Sequence, residues 1–161
     1  NIERMRCMIR VCFVCLGNIC RSPMAEFIFK NMVYERGLGD YFFISSKGTS
    51  SEELGNPMHP GTVLELNRHH IPYNDHFASK LVKDDYQRFD YFIGMDSYNI
   101  SSMMRIFGND TKHKVFRILD FCDNKKDIDD PWYTGNFSLT YQEITLGCQM
   151  FLDYIIQNKT L

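Results

Sequence analysis

The sequence predicts an α/β fold, a single-domain three-layer arrangement with a parallel sheet between helices on both faces. Three observations lead there. Short apolar runs of strand character alternate along the chain with stretches of helical periodicity, as in successive β-α-β units. The runs at 9–14 and 89–95 are apolar almost throughout, as strands buried on both faces are. The 161 residues suit one domain with its own core, and no internal repeat, low-complexity tract or linker divides them. The domain is expected to span 1–161, with residues 1–8 partly vector-derived or flexible.

Residues 9–14 form the first expected strand. Residues 16–19 break it with Gly17 and Asn18, which tolerate left-handed backbone. Ser22 then offers a helix N-cap and Pro23 a favourable first helical position. Met24, Phe27, Ile28 and Met32 follow at helical spacing until Gly37 and Gly39 end the helix. A second strand is expected at 41–45 and a long Ser, Gly and Pro-rich loop at 46–60. A helix at 61–69 carries Val63, Leu64 and Leu66 and is stopped by Ile71-Pro72. A short helix at 83–88 precedes the third strand at 89–95. Asp96 or Ser97 caps a helix running to Phe107, and 114–118 is the fourth strand. Residues 122–136 read as a polar loop around Pro131. Tyr141, Ile144, Cys148, Phe151, Leu152 and Ile155 mark a long amphipathic helix over 138–158.

Composition narrows the partners. With 44% hydrophobic and 24% charged residues the chain is ordinary for a globular protein, and its net charge of −2 argues against nucleic acid as the main partner. No stretch approaches the roughly 20 apolar residues of a membrane span, so no membrane association is expected. Residues 1–10 lack the apolar core of a secretory signal. Asn1 suggests extraneous or trimmed first residues, with Met5 and Met8 as plausible starts, and a cytoplasmic location is expected. The six cysteines, Cys7, Cys12, Cys15, Cys20, Cys122 and Cys148, are therefore expected to be reduced.

The chemistry concentrates after the first strand. Cys15, five residues, then Arg21 and Ser22 form a Cys-x5-Arg-Ser pattern between a strand and a helix start. Parallel α/β sheets place their sites there, at the carboxyl ends of strands. A phosphoryl group needs donors around its oxygens, and a loop of inward-facing backbone N–H groups beside a helix N-terminus supplies them. Arg21 can grip two oxygens at once. The same field favours the thiolate of Cys15, with Ser22 placed to donate to it, and a thiolate can attack phosphorus to form a cysteinyl-phosphate. A lone cysteine at a strand end is more often core, but strand, motif, glycine, Ser-Pro and helix together favour the nucleophile. Cys12 and Cys15 also make a Cys-x-x-Cys. Redox pairs of that kind open a helix whereas Cys12 lies in a strand, and no second ligand pair follows at zinc spacing, so no metal or cofactor is expected.

Residues 14–23, Val-Cys-Leu-Gly-Asn-Ile-Cys-Arg-Ser-Pro, with Ala25-Glu26, resemble the low-molecular-weight protein tyrosine phosphatase family. Gly55-Asn56-Pro57, Arg68-His69, Ile71-Pro72, Asp90-Tyr91, Met95-Asp96 and Asp130-Pro131-Trp132-Tyr133 extend the resemblance over nearly the whole chain. It implies a four-stranded parallel sheet in the flavodoxin-like order 2-1-3-4 and metal-free hydrolysis of phosphotyrosine in proteins or peptides. Phosphate or sulfate would occupy the loop formed by Leu16, Gly17, Asn18, Ile19 and Cys20, and the protein would be a monomer.

A tyrosine leaving group calls for a proton donor. The acidic run 127–130 reads by itself as either a solvated loop or an acid; the resemblance selects Asp130, before Pro131, with Asp129 the neighbour most easily confused with it. The resemblance also implies that Asn18 holds the loop in a left-handed conformation, with Ser22, Ser46 and His76 as partners and Glu26 orienting His76. Asp96 either pairs with Arg21 or only caps its helix. Leu16, Ile19, Trp132 and Tyr133 are expected to sandwich a phenyl ring, a slot too deep for phosphoserine. Glu52 stands where well-known members carry an aromatic wall residue, which would disfavour acidic phosphopeptides. Cys20 is the cysteine that in the family forms a reversible disulfide with the nucleophile.

Two enzymes of similar fold compete with this reading. Arsenate reductases need a resolving cysteine pair downstream, where only Cys122 stands. Arginine phosphatases carry threonine at the position of Ile19 and small residues in place of Trp132 and Tyr133. An inactive phosphate-binding module would have lost Cys15, Arg21 or the acid, and all are present.

Overall fold

The computed structural model describes residues 8–159. Residues 1–7, with Cys7, Met5 and nearly all of the segment expected to be extraneous or flexible, lie outside the described residues. Four strands, β1 (Ile9–Cys15), β2 (Phe42–Gly48), β3 (Tyr91–Gly94) and β4 (Val115–Arg117), form one sheet. Its order is β2-β1-β3-β4 and every pairing is parallel. The helices are α1 (Arg21–Glu35), α2 (Pro60–Arg68), α3 (Ser97–Phe107), α4 (Pro131–Thr134) and α5 (Phe137–Lys159). Short 3₁₀ segments cover Gly39–Tyr41, Lys83–Gln87 and Ile118–Phe121. No helix among the described residues is long and apolar enough to cross a membrane.

The sheet is buried on both faces because successive residues of β1 point to opposite sides. Val11, Phe13 and Cys15 enter a core shared with Met24, Phe29 and Phe151 of α1 and α5. Cys12 and Val14 enter a second core with Phe92, Met103 and Phe107. In the first, Phe29 stacks on Phe151 at 5.3 Å between ring centroids and meets Phe13 edge-on at 5.5 Å. Since β1 lies between β2 and β3, the chain turns in opposite directions at its carboxyl end. The loop after Cys15 sits at that switch point.

Four expectations need correction. Ser22 is not the cap of α1: the helix already starts at Arg21 with Cys20 in the cap position, and no side chain caps it. Pro23 is thus the third helical residue. The Ser22 hydroxyl is engaged by Cys15 and Asn18 instead. The loop expected from residue 46 starts later, because Ser46, Lys47 and Gly48 continue β2 and pair with Phe13, Val14 and Cys15. A Cβ on Gly48 would lie 2.9 Å from the Leu16 carbonyl oxygen, so the loop closes against this strand only over glycine. Finally, the polar loop at 122–136 contains α4, capped by Asp130. The third strand is also shorter than expected, beginning at Tyr91.

Candidate active site

Residues 15–22 wrap around the end of β1 and pass directly into α1. At the turn, Asn18 is fully buried with φ 59°, the left-handed region that Asn tolerates better than most residues. Three hydrogen bonds hold it there. Its Nδ2 donates to Ser22 Oγ at 2.7 Å and to Ser46 Oγ at 3.0 Å, and its Oδ1 accepts from the Ser79 amide at 3.0 Å. Ser46 passes the network on, donating to Glu26 Oε1 at 2.6 Å. His76 meets the Asn18 carbonyl through Nε2 at 2.9 Å, with Nδ1 4.0 Å from Glu26 Oε1. Lys30 closes the far side of Glu26 at 2.6 Å. The network gives these buried polar atoms partners and leaves the loop little freedom to relax.

Cys15 Sγ lies at the floor, 3.0 Å from Ser22 Oγ and 3.3 Å from the Asn18 amide, which donates to it. Asn18 already donates to Ser22 Oγ, so the Ser22 hydroxyl hydrogen is the one free to point at sulfur. Both neighbours therefore stabilise negative charge on Cys15.

Arg21 is nearly fully buried. Its Nη1 donates to Asp96 Oδ2 and to the Ile128 carbonyl, both at 2.7 Å, while Nη2 lies 3.5 Å from Asp130 Oδ2. Burial opposes its charge, but Cys15, Asp96 and Asp130 hold the guanidinium above its ordinary pKa. Asp96 does two jobs, since its Oδ1 also accepts from the Asn99 amide and caps α3. Asp130 Oδ1 accepts from the Trp132 amide at 3.0 Å and caps α4.

The resulting pocket, about 120 Å³, is walled by Leu16, Ile19, Asp130, Trp132 and Tyr133 over Cys15 and Arg21. Trp132 and Tyr133 are exposed at its rim, and Ile19 is buried. Glu52 reaches the same pocket, together with Gly17, Cys20 and Glu53. A neighbouring cavity of about 300 Å³ shares Leu16, Arg21, Asp130 and Tyr133 and adds Asp127 and Asp129. Asp129 is thus one cavity away from the nucleophile, while Asp127 pairs with Arg117 at 2.9 Å. Burial, and after it the negative field of Cys15 and Asp130, pushes the Cys20 thiol up to about 12. Cys12 is fully buried and raised further, and the cysteines among the described residues are all free thiols.

Several contributors escape sequence reasoning. Ile128 acts through its carbonyl and Ser79 through its amide, groups every residue has. Glu53 stands beside the noticed Glu52 and holds Asn56 at 2.7 Å. Thr62, fully buried, donates to the Cys20 carbonyl at 3.0 Å from a helix remote in sequence. Only Gly48, a glycine ending a strand, carried a local signal.

The family model for low molecular weight phosphotyrosine protein phosphatases matches residues 10–161. A low molecular weight protein-tyrosine-phosphatase of Staphylococcus epidermidis, PtpA, is 41% identical over 155 residues, covering 96% of this chain and 98% of the relative. The crystal structure of YfkJ from Bacillus subtilis superposes with a TM-score of 0.92 at 40% identity, covering 94% and 97% of the two chains. An arginine phosphatase from Drosophila superposes with a TM-score of 0.83 at 30% identity, covering 91% and 97%.

Proposed function

Since this chain belongs to the low molecular weight phosphotyrosine protein phosphatase family, a family of hydrolases, we propose that it cleaves phosphotyrosine in protein substrates with Cys15 as nucleophile, Arg21 as phosphate clamp and Asp130 as acid and base. The observation that carries this assignment is the Cys15 sulfur at the pocket floor, facing the Ser22 hydroxyl and the Asn18 amide, with the Asp130 carboxyl in the wall above. Cys15 attacks phosphorus in line with the tyrosyl oxygen. The sulfur–phosphorus bond forms as the phosphorus–oxygen bond breaks, and Asp130 gives its proton to the departing phenol. Arg21 Nη2 and the loop amides hold the equatorial oxygens. Asp96 and the Ile128 carbonyl occupy Nη1 and keep the guanidinium plane aimed. The incoming phosphate competes with Asp130 for Nη2 and frees the carboxyl to carry the proton. Asp130, now ionised, takes a proton from water as that water attacks phosphorus. Cys15 departs with the bonding pair, stabilised by the Ser22 hydroxyl, and phosphate is released.

The ring of the substrate lies between Leu16 and Ile19 on one side and Trp132 and Tyr133 on the other. Ile19 and the two adjacent aromatics favour a phenol over the flexible side chain of phosphoarginine. Glu52 at the rim disfavours acidic flanks. Cys20 serves as the partner that captures an oxidised Cys15 in a reversible disulfide. The protein acts as a monomer.

Turnover of phosphotyrosine, phosphoarginine and an activated aryl phosphate without added metal tests the reading. Phosphotyrosine should be preferred, C15S should be inert, and D130A should lose about 100-fold or more on phosphotyrosine but far less on 2,4-dinitrophenyl phosphate, whose phenol leaves unaided. Equal losses on both esters would remove Asp130 from the acid role.

A further inference from the structure

We propose that His59 is a positioning residue for the proton donor, holding the Asp130 loop against the phosphate loop through its ring; this rests on the acid role of Asp130. The short helix α4 is anchored through the Asp130 cap and the Arg21 pairing at its start. Pro131 is buried, but Trp132 and Tyr133 project outward, at 55% and 78% exposure. The ring against which Trp132 packs is His59, edge-on at 5.6 Å between centroids. His59 also stacks on Phe137, the first residue of α5, at 4.9 Å and 22°. One imidazole thus braces both ends of the segment that carries Asp130.

The ring is itself fixed. His59 caps α2, and its Nδ1 accepts from the Gly61 amide at 2.9 Å. That bond requires a neutral ring with its proton on Nε2 and sets the ring plane. Phe137 in turn packs closely on Gly61, where a Cβ would come 2.5 Å from its ring. The same corner holds the phosphate loop. The His59 amide donates to the Ile19 carbonyl at 2.9 Å, and Phe137 packs on Ile19 and Cys20. His59 therefore ties the acid to the nucleophile loop without touching substrate. A shift of about 1 Å in a catalytic group can cost up to about 100-fold in rate, so loosening this brace should be visible in the acid-dependent step.

Three variants separate the ring from the cap. H59N keeps a good N-cap but has no ring; H59F keeps the ring but no cap acceptor; D130A reports what full loss of the acid does. Expected for H59N is a kcat about tenfold lower on phosphotyrosine and changed less than about twofold on 2,4-dinitrophenyl phosphate. Inhibition by inorganic phosphate should be unchanged, and the emission of Trp132, the single tryptophan of the chain, should shift to the red. H59F should keep the wild-type ratio between the esters. The proposal is overturned if H59N matches the wild type on both esters, if it loses equally on both, or if H59F loses as much as H59N on phosphotyrosine. If D130A discriminates between the esters and H59N does not, His59 alone is dismissed; a D130A without discrimination removes both assignments.

Discussion

Replacing Asn18 with alanine probes what holds the phosphate loop in shape. The substitution removes two donated bonds whose acceptors, Ser22 Oγ and Ser46 Oγ, keep other partners, worth about 1 kcal/mol each. It also leaves the Ser79 amide without its acceptor, at about 1–3 kcal/mol. Alanine at φ 59° adds about 1 kcal/mol of backbone strain relative to asparagine. Together these amount to about 4–6 kcal/mol, a large share of the 5–15 kcal/mol typical of a whole domain. With a urea dependence of about 2 kcal/mol per molar, the unfolding midpoint should fall by about 2–3 M. N18G separates the backbone part. Glycine usually destabilises by about 0.5–1 kcal/mol relative to alanine, but here it relieves the strain, so N18G should be at least as stable as N18A. Urea melts followed by circular dichroism read both. A loss under about 1.5 kcal/mol for N18A, or an N18G less stable than N18A by a full 1 kcal/mol, would show that this network does not hold the loop.

R21K keeps the charge but cannot hold Asp96, the Ile128 carbonyl and a phosphate together. Phosphotyrosine kcat/KM should fall by about 100-fold or more and protection against urea by inorganic phosphate should vanish; retention of a tenth of the activity would refute the clamp. Cys20 links stability to alkaline pH. Its folded pKa of about 12 lies above the ordinary value of 9.0, so above pH 9 the unfolded chain releases a proton that the folded chain keeps. Stability should fall as pH rises from about 9 toward 12, and C20A should remove up to about 1.4 kcal/mol per pH unit from that slope; equal slopes in urea melts at pH 8, 9 and 10 would contradict the burial argument. C20S should also turn peroxide inactivation, reversible by thiols in the parent, into irreversible loss; identical recovery would exclude the disulfide.

The order of elements was legible because each strand reads as a local apolar run and each helix as a local period. Boundaries failed where tertiary contacts overrode local signals. Ser22 looks like a cap, yet its hydroxyl has a stronger claim from Cys15 and Asn18. Residues 46–48 look like loop, yet pairing with β1 extends the strand. Residues 131–134 read as loop, yet they form a turn of helix capped by Asp130 with Pro131 buried.

The sequence by itself determined the α/β alternation and the Cys15 to Ser22 loop, and the family resemblance pointed to Asp130 among the aspartates. These depend on spacing within short stretches, where chain connectivity alone brings residues together. Tertiary structure decided the rest. Asp96 both grips Arg21 and caps α3, a pairing 75 residues apart that the sequence left as alternatives. The Ile128 carbonyl and the Ser79 amide reach Arg21 and Asn18, and the ring of His59 comes between Trp132 and Phe137, only because the fold gathers these loops at one end of the parallel sheet. Main-chain groups are identical in every residue, and a ring between two others looks like any histidine. Their roles follow from where folding puts them.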